Sequence, residues 1–227
     1  MIALLLYLTA IRLNIQFMVC LCAPSPRTSH RQSVKRIFRY LKFTPQLGLW
    51  YSLGSSLSLK GFSDVDHAVY RIDRKSTSGT CQFLGTSLVS WSSRKQASVF
   101  LSTTEAEYIA AASYCFQLLW MKATLSDFRL SFGRIPLLLD STFAISVTKN
   151  PILHFRTKHI DVRFQFLRDH YEKLDIDLIH VETQNQLVDI LTKPLEFSAF
   201  ARLRGNRLKV LTIQSSRGRL RANGPAS

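Results

Sequence analysis

Leu57-Ser58-Leu59-Lys60-Gly61-Phe62-Ser63-Asp64 is where the chain changes period. Upstream, apolar residues recur at helical spacing. Here the apolar stretch alternates as a half-buried strand does, and Asp64 closes it. A polar, basic loop around 71–78 follows. Strands then come near 79–84 and 87–91, with Gly85-Thr86 between them as a tight hairpin turn. Residues 104–125 read as a long helix: Ile109, Ala112, Phe116, Leu119 and Ala123 form one face, and the Ala-rich content favours helix. Beyond it the spacing predicts a strand at 135–139, helices at 142–149 and 158–174, a strand at 175–181 and a short helix at 186–193. Three antiparallel strands followed by alternating helix and strand predict an α/β fold, a mixed five-stranded sheet with helices on its faces.

Upstream, 1–20 and 29–43 read as helices separated by the breaker stretch Ala23-Pro24-Ser25-Pro26. In the second, Val34, Ile37, Phe38 and Leu41 make an apolar face, while Arg31, Lys35, Arg36, Arg39 and Lys42 occupy the remainder. The apolar run 1–23 is not expected to be a targeting or membrane segment. Arg12 and Asn14 interrupt it, no positive region precedes it, and Leu21 is a poor residue for a cleavage site ending at Ala23.

A chain of 227 residues buries a sizeable core, as one domain or one domain with an appendage. Its net charge of +15 is unevenly placed: residues 1–63 and residues 197–227 carry no acid at all. Basic flanks around a neutral centre suit a polyanionic partner such as nucleic acid, although a basic Ser/Arg/Gly-rich stretch like 215–227 also reads as a structureless tail. Cys20, Cys22, Cys81 and Cys115 have neither zinc-ligand spacing nor a disulfide ladder, which fits a reducing, intracellular compartment, cytoplasmic or nuclear.

Asp64, Glu107, Asp140 and Asp189 each sit where an element begins or ends, and carboxylates so placed can converge around divalent metal. Each also has a plainer reading. Thr104 with Glu107 fits a capping box, Asp140 can cap the following helix, Asp189 with Lys193 makes an i,i+4 surface pair, and Asp64 or Asp66 can serve a strand-ending turn. His180, in Leu178-Ile179-His180-Val181, is read as structural in preference to a proton shuttle, and His159 and Asp161 do not share a helix face.

The surrounding blocks carry a resemblance. Gly61-Phe62-Ser63-Asp64-Val65-Asp66, Asp73-Arg74-Lys75-Ser76-Thr77-Ser78-Gly79, Val89-Ser90-Trp91-Ser92-Ser93-Arg94-Lys95-Gln96 and Ser102-Thr103-Thr104-Glu105-Ala106-Glu107-Tyr108 occur in order. They are followed by Asp140-Ser141, Lys149-Asn150-Pro151, Arg156-Thr157-Lys158-His159-Ile160-Asp161 and Gln186-Leu187-Val188-Asp189-Ile190-Leu191-Thr192-Lys193-Pro194-Leu195. Together they resemble the ribonuclease H domain of copia-type retrotransposon Pol polyproteins. Upstream, Ser33-Val34-Lys35-Arg36-Ile37-Phe38-Arg39-Tyr40-Leu41 and Gly48-Leu49-Trp50-Tyr51 resemble the end of the reverse transcriptase that precedes it.

The resemblance implies a ribonuclease H-like domain at 57–196, a helical reverse-transcriptase remnant at 1–56 and a basic, structureless tail at 197–227. It also implies a metal-binding tetrad of Asp64, Glu107, Asp140 and Asp189 for Mg²⁺ or Mn²⁺, with Asp66 and Glu105 as near misses. Arg71, Arg74, Lys75, Arg94 and Lys95 would contact the phosphates of an RNA/DNA hybrid, and the rest of the reverse transcriptase would be a partner in an intact polyprotein. His67, Leu139 and Val188 depart from the family's Trp, Cys and Ala without removing a ligand, whereas the polymerase's Asp-Asp motif is missing. The competing readings are an inactive relic that only binds nucleic acid, and a secreted polypeptide led by 1–23.

Overall fold

The computed structural model describes residues 2–23, 26–28, 30–52, 54, 56–67, 75–96, 99–100, 102–150, 161–207 and 210–212. Its centre is a sheet of five strands: β2 (Leu59–Asp66), β3 (Thr77–Leu84), β4 (Ser87–Lys95), β5 (Ile135–Leu139) and β6 (Ile176–His180), with β1 (Leu47–Leu49) lying outside it. The order across the sheet is β4-β3-β2-β5-β6, antiparallel from β4 to β2 and parallel from β2 to β6. The two-residue turn Gly85-Thr86 closes the β3–β4 hairpin, with Gly85 at φ 61°. The mixed α/β sheet expected from the sequence is the sheet observed.

β2 is central and is buried along most of its length, so the strict alternation of a half-solvated strand gives way to burial on both faces. Alternation survives as a choice between two cores. Leu59 faces the cluster built by α4 (Thr103–Asp127), β5, α5 (Thr142–Lys149), α6 (Asp161–Glu172) and β6, in which Tyr108, Tyr114, Cys115, Leu118, Leu137 and Leu167 are buried. Phe62 faces the other way, into a cluster of Cys81, Phe83 and Leu88 with Leu187, Val188, Ile190 and Leu191, which flank and form the short helix α7 (Asp189–Thr192). By the two-residue period of a strand, Asp64 belongs to the Phe62 face, the one covered by α7.

Four sequence expectations are corrected. Of the expected α4 face, Ile109 and Ala112 are buried in the core and Leu119 packs against it, but Phe116 is 62% exposed, and the core face is completed instead by Tyr108, Ala111, Cys115 and Leu118. The helix is apolar nearly all round, so spacing alone could not set its phase, and the tyrosine at 114, which donates to the Cys81 carbonyl at 2.7 Å, decides it.

The expected helix 1–20 is broken into α1 (Ile2–Leu8), a 3-10 turn at Leu13–Ile15 and α2 (Gln16–Cys22). The polar residues that interrupt its apolar run tie down the break. Arg12 donates to the carbonyls of Thr44 and Pro45 at 2.8 and 3.2 Å, Asn14 donates to the Tyr40 hydroxyl at 2.9 Å, and Trp91 Nε1 of β4 donates to the Thr9 carbonyl at 3.0 Å. With α3 (His30–Phe43), these helices enclose a small core of Leu5, Ile15, Val19, Val34 and Ile37, and Leu13 joins the α7-side core of the sheet. No helix among the described residues is long and apolar enough to cross a membrane.

The segment after residue 196 is not structureless where it is described: Phe197–Arg202 forms α8 and Val210–Thr212 forms β7, which pairs antiparallel with β1. Residues 213–227 lie outside the described residues. Finally, the expected helix 186–193 contracts to α7 itself, led by a 3-10 turn at Thr183–Asn185. All four cysteines are free thiols.

Candidate active site

Two neighbouring strands bring the first carboxylates level. In the parallel ladder Phe62 stands opposite Leu138, so the register carried two residues on sets Asp64 beside Asp140, both on the α7 face. Asp140 follows the last residue of β5, and α5 begins after it with Ser141 as its cap, whose hydroxyl accepts from Ala144 N at 3.2 Å. Asp140 is therefore not the cap. The capping-box reading of Glu107 also falls: Ser102 caps α4 by accepting from Glu105 N at 3.2 Å, which leaves Glu107 in the next turn. Glu107 feels the charges of Asp140 and Asp64.

The fourth carboxylate arrives on α7, and Gly79 is what lets α7 come close. Gly79 pairs directly with Asp64, and a Cβ there would meet Val188 Cγ1 at 2.5 Å and Thr192 Cγ2 at 2.6 Å. With hydrogen in that place the helix lies directly on β3 beside Asp64. Thr192, fully buried, donates from Oγ1 to Asp64 Oδ2 at 2.7 Å. Gln186, also fully buried, donates to the Ser63 carbonyl at 3.1 Å and helps to hold Asp140 ionised.

Lys193 Nζ lies 2.9 Å from Asp189 Oδ1 and 3.8 Å from Asp64 Oδ2. The i,i+4 pair expected from the sequence exists, yet it is no surface pair, because Asp189 is only 6% exposed and the same ammonium faces Asp64. Apart from that ammonium, the buried Asp189 Oδ1 has no hydrogen-bond partner.

The electrostatics are those of acids crowded together. Burial first, then the Asp64 charge, push Asp189 up to about 7, outweighing the Lys193 ammonium that pulls the other way. Burial raises Glu107, with Asp140 and Asp64 adding to it and the Ser141 hydroxyl opposing. Burial and Asp64 likewise raise Asp140. Asp66, two residues along the same face of β2, is raised by burial and by Asp64 against the pull of Lys193. For Lys193 burial works against the charge, but Asp64, Asp189 and Asp140 together hold it above the usual lysine value.

The structure thus gathers all four sequence-predicted acids around Asp64. As the side chains stand, no group of three or more His, Cys, Asp or Glu among the described residues is close enough to share one metal ion.

Of the basic residues singled out, Arg71 and Arg74 lie outside the described residues. Lys95 pairs with Thr77, which pairs with Asp66, so it shares the carboxylate face one strand further out. Arg94 is exposed on the opposite face of this edge strand, and Lys75 is half-buried at the approach to β3. His180 is the exposed last residue of β6, not a mid-strand residue, and stands opposite Leu139. Sequence reasoning missed Thr192 and Gln186. Both lie in or beside the quoted 186–195 block, but only the strand register shows that Asp64 lies beneath them.

No family model matches the chain. Among solved structures, LC11-RNase H1 in complex with an RNA/DNA hybrid aligns over 60% of this chain and 94% of that one, at 11% identity and a TM-score of 0.46. Among characterised sequences, the retrovirus-related Pol polyprotein from transposon RE1 of Arabidopsis thaliana is 39% identical over 176 residues, which is 77% of this chain and 12% of the relative. That from transposon RE2 of the same plant is 36% identical over 194 residues, 85% of this chain and 13% of the relative. The chain thus spans a small part of the length of the relatives it matches, and it belongs to the retrovirus-related Pol polyproteins of copia-type transposons.

Proposed function

We propose that residues 57–196 act as a ribonuclease H-type endonuclease, cutting the RNA strand of an RNA/DNA hybrid with Mg²⁺ or Mn²⁺ held by Asp64, Glu107, Asp140 and Asp189. Residues 1–56 would be the helical appendage inherited from the polymerase. The observation that carries this reading is the mutual approach of four acids, from two neighbouring strands and from helices on the two faces of the sheet, each of the other three feeling the charge of Asp64.

The donor set suits a hard divalent cation, which takes oxygen ligands. Apart from the Lys193 ammonium, Asp189 Oδ1 is buried without a hydrogen-bond partner, and that ammonium places positive charge between Asp189 and Asp64, one cation against four carboxylates. When bound, such ions would supply an activated water and stabilisation of the leaving oxygen. The chain's own part is to present the carboxylates, to withdraw Lys193 from between them, and to lay the phosphate backbone along Lys75 and Lys95, Arg94 being on the far face of β4. Recognition of the RNA strand would come from its 2′-hydroxyls and groove shape, not from its bases.

A second reading, binding without cleavage, is favoured by the spacing that leaves no three acids within reach of one ion. One assay separates the two. Purified protein is incubated with a labelled RNA/DNA hybrid in Mg²⁺ and in EDTA. Cutting of the RNA strand in Mg²⁺ alone is expected. Equal cutting in EDTA would end the metal assignment, and salt-dependent binding with no cutting in either Mg²⁺ or Mn²⁺ would establish the binding-only reading.

A further inference from the structure

We propose that Thr192 is a positioning residue, whose buried hydroxyl fixes the carboxylate of Asp64 for cation binding; this rests on the metal-site reading above. Thr192 has no exposed surface, and Asp64 is 5% exposed, so water does not compete for the 2.7 Å bond from Oγ1 to Asp64 Oδ2. A hydroxyl has one proton to give. Among the described residues the other acceptor for this hydroxyl is the Val188 carbonyl a turn back, at 3.5 Å, so the proton goes to the carboxylate.

The donor is rigid for three reasons. Threonine is branched at Cβ and stiff about its first torsion, its methyl is pressed against the backbone position of Gly79, and Gly79 is the residue paired with Asp64. Helix, glycine and carboxylate therefore form one unit, in which the seat of α7 on β3 sets the direction in which Asp64 points. Lys193, the next residue, reaches the same Oδ2 at 3.8 Å, so one short segment supplies Asp64 with both a fixed hydrogen bond and a neighbouring counter-charge. A hydrogen bond given to a charged ligand from behind both orients it and raises its worth to a cation, and removing such a bond lowers metal affinity or activity by about 10- to 100-fold.

The test uses the full chain and two readouts: the rise in thermal midpoint on titration with Mg²⁺, and the Mg²⁺ dependence of hybrid cleavage. Thr192→Val keeps the shape and removes the hydroxyl, while Thr192→Ser keeps the hydroxyl and removes the methyl. In EDTA all three proteins should melt cooperatively. Thr192→Val should need about 10- to 100-fold more Mg²⁺ for half-maximal stabilisation and for half-maximal cleavage, and Thr192→Ser should stay within a few-fold of wild type, about threefold at most.

If Thr192→Val proves unable to fold, Thr192→Ala against Thr192→Ser isolates the hydroxyl in the same way. Equal Mg²⁺ requirements for the hydroxyl-bearing and hydroxyl-free variants would overturn the assignment. Wild-type protein that is stabilised by Mg²⁺ yet cuts nothing would sink the nuclease reading and leave the Thr192 comparison decided by the melting data. Wild-type protein indifferent to Mg²⁺ would overturn both.

Discussion

Asp140 ends β5 with a carboxylate that its own neighbourhood does not use. Ser141 caps α5, so Asp140 does no capping work, and what remains is a half-buried acid facing Asp64. Asp140→Asn should therefore melt in EDTA no lower than wild type, lose the stabilisation that added Mg²⁺ gives to a native state with a binding site, and lose hybrid cleavage. Unchanged cleavage by this variant would refute the tetrad.

Asp189 carries the pH prediction. Its folded-state pKa of about 7 stands above the unfolded value of about 3.9, so the native state takes up a proton that the unfolded chain does not. That contribution to stability is present below pH 4 and is lost as pH rises to 7, at up to about 1.4 kcal/mol per pH unit. Glu107 and Asp140, also raised, push in the same direction. In EDTA the melting temperature should fall between pH 5 and pH 8, Asp189→Asn should flatten that fall, and Mg²⁺ should restore the loss at pH 8. A melting temperature that climbs over this range in wild type but not in Asp189→Asn would show that the acids are not crowded as described.

At this scale the nearness of Asp64, Asp140 and Asp189 was legible in the sequence because each stands at or near the end of an element, whereas Glu107, a turn inside α4, was offered by the motif blocks alone. Thr192 and Lys193 were not legible as site residues: spacing within a helix shows that residues three and four apart share a face, and says nothing about what that face meets.

Among the elements, the strands and their mixed sheet could be read because apolar alternation and the Gly85-Thr86 turn set them, whereas the phase of α4 could not, because a helix apolar on most sides gives periodicity little contrast. The seat of α7 was equally hidden, since a four-residue helix has almost no period of its own and is held by what it rests on. Gly79 is that support. Gly79→Ala places a methyl where Val188 and Thr192 already stand, and such overpacking costs about 1–3 kcal/mol. The melting temperature should drop, and the Mg²⁺-induced rise should shrink with it as Asp189 and Thr192 are lifted away from Asp64. Gly133→Ala, where a new Cβ meets nothing within 4 Å, is the control and should alter stability by no more than about 0.5 kcal/mol. Equal effects of the two substitutions would show that α7 does not depend on the close approach.

Over the whole molecule, the passage from the N-terminal helices to the strands of the main sheet was legible from the change of period at Leu57, while the way the helices meet the sheet was not. Trp91 on the edge strand β4 bonds to Thr9, and Leu13 sits in the core beneath α7, pairings between residues far apart in the chain and invisible to any local pattern. Their consequence is that the basic helix α3 is carried on a segment anchored to the same sheet as the carboxylates. Arg31, Lys35, Arg36, Arg39 and Lys42 of α3 are exposed, and residues 1–63 hold no acid to offset them. The same lack of acids in 1–63 removes the carboxylate pair that a polymerase needs, so primer extension is not expected from this chain. Positive charge without counter-charge gains affinity for a duplex by releasing its condensed counterions, and the logarithm of the binding constant then falls with the logarithm of salt, with a slope of about −0.9 per phosphate neutralised. Binding of an uncut hybrid in EDTA, measured by anisotropy across a salt series, should therefore weaken steeply for wild type. Replacing the five α3 residues by Gln should make the slope shallower by about one for each phosphate that is no longer neutralised, leaving the Mg²⁺-induced rise in melting temperature intact because none of the five is among the groups acting on Glu107, Asp140 or Asp189. An unchanged slope would mean that α3 is only a solvated face and that the phosphates are held elsewhere.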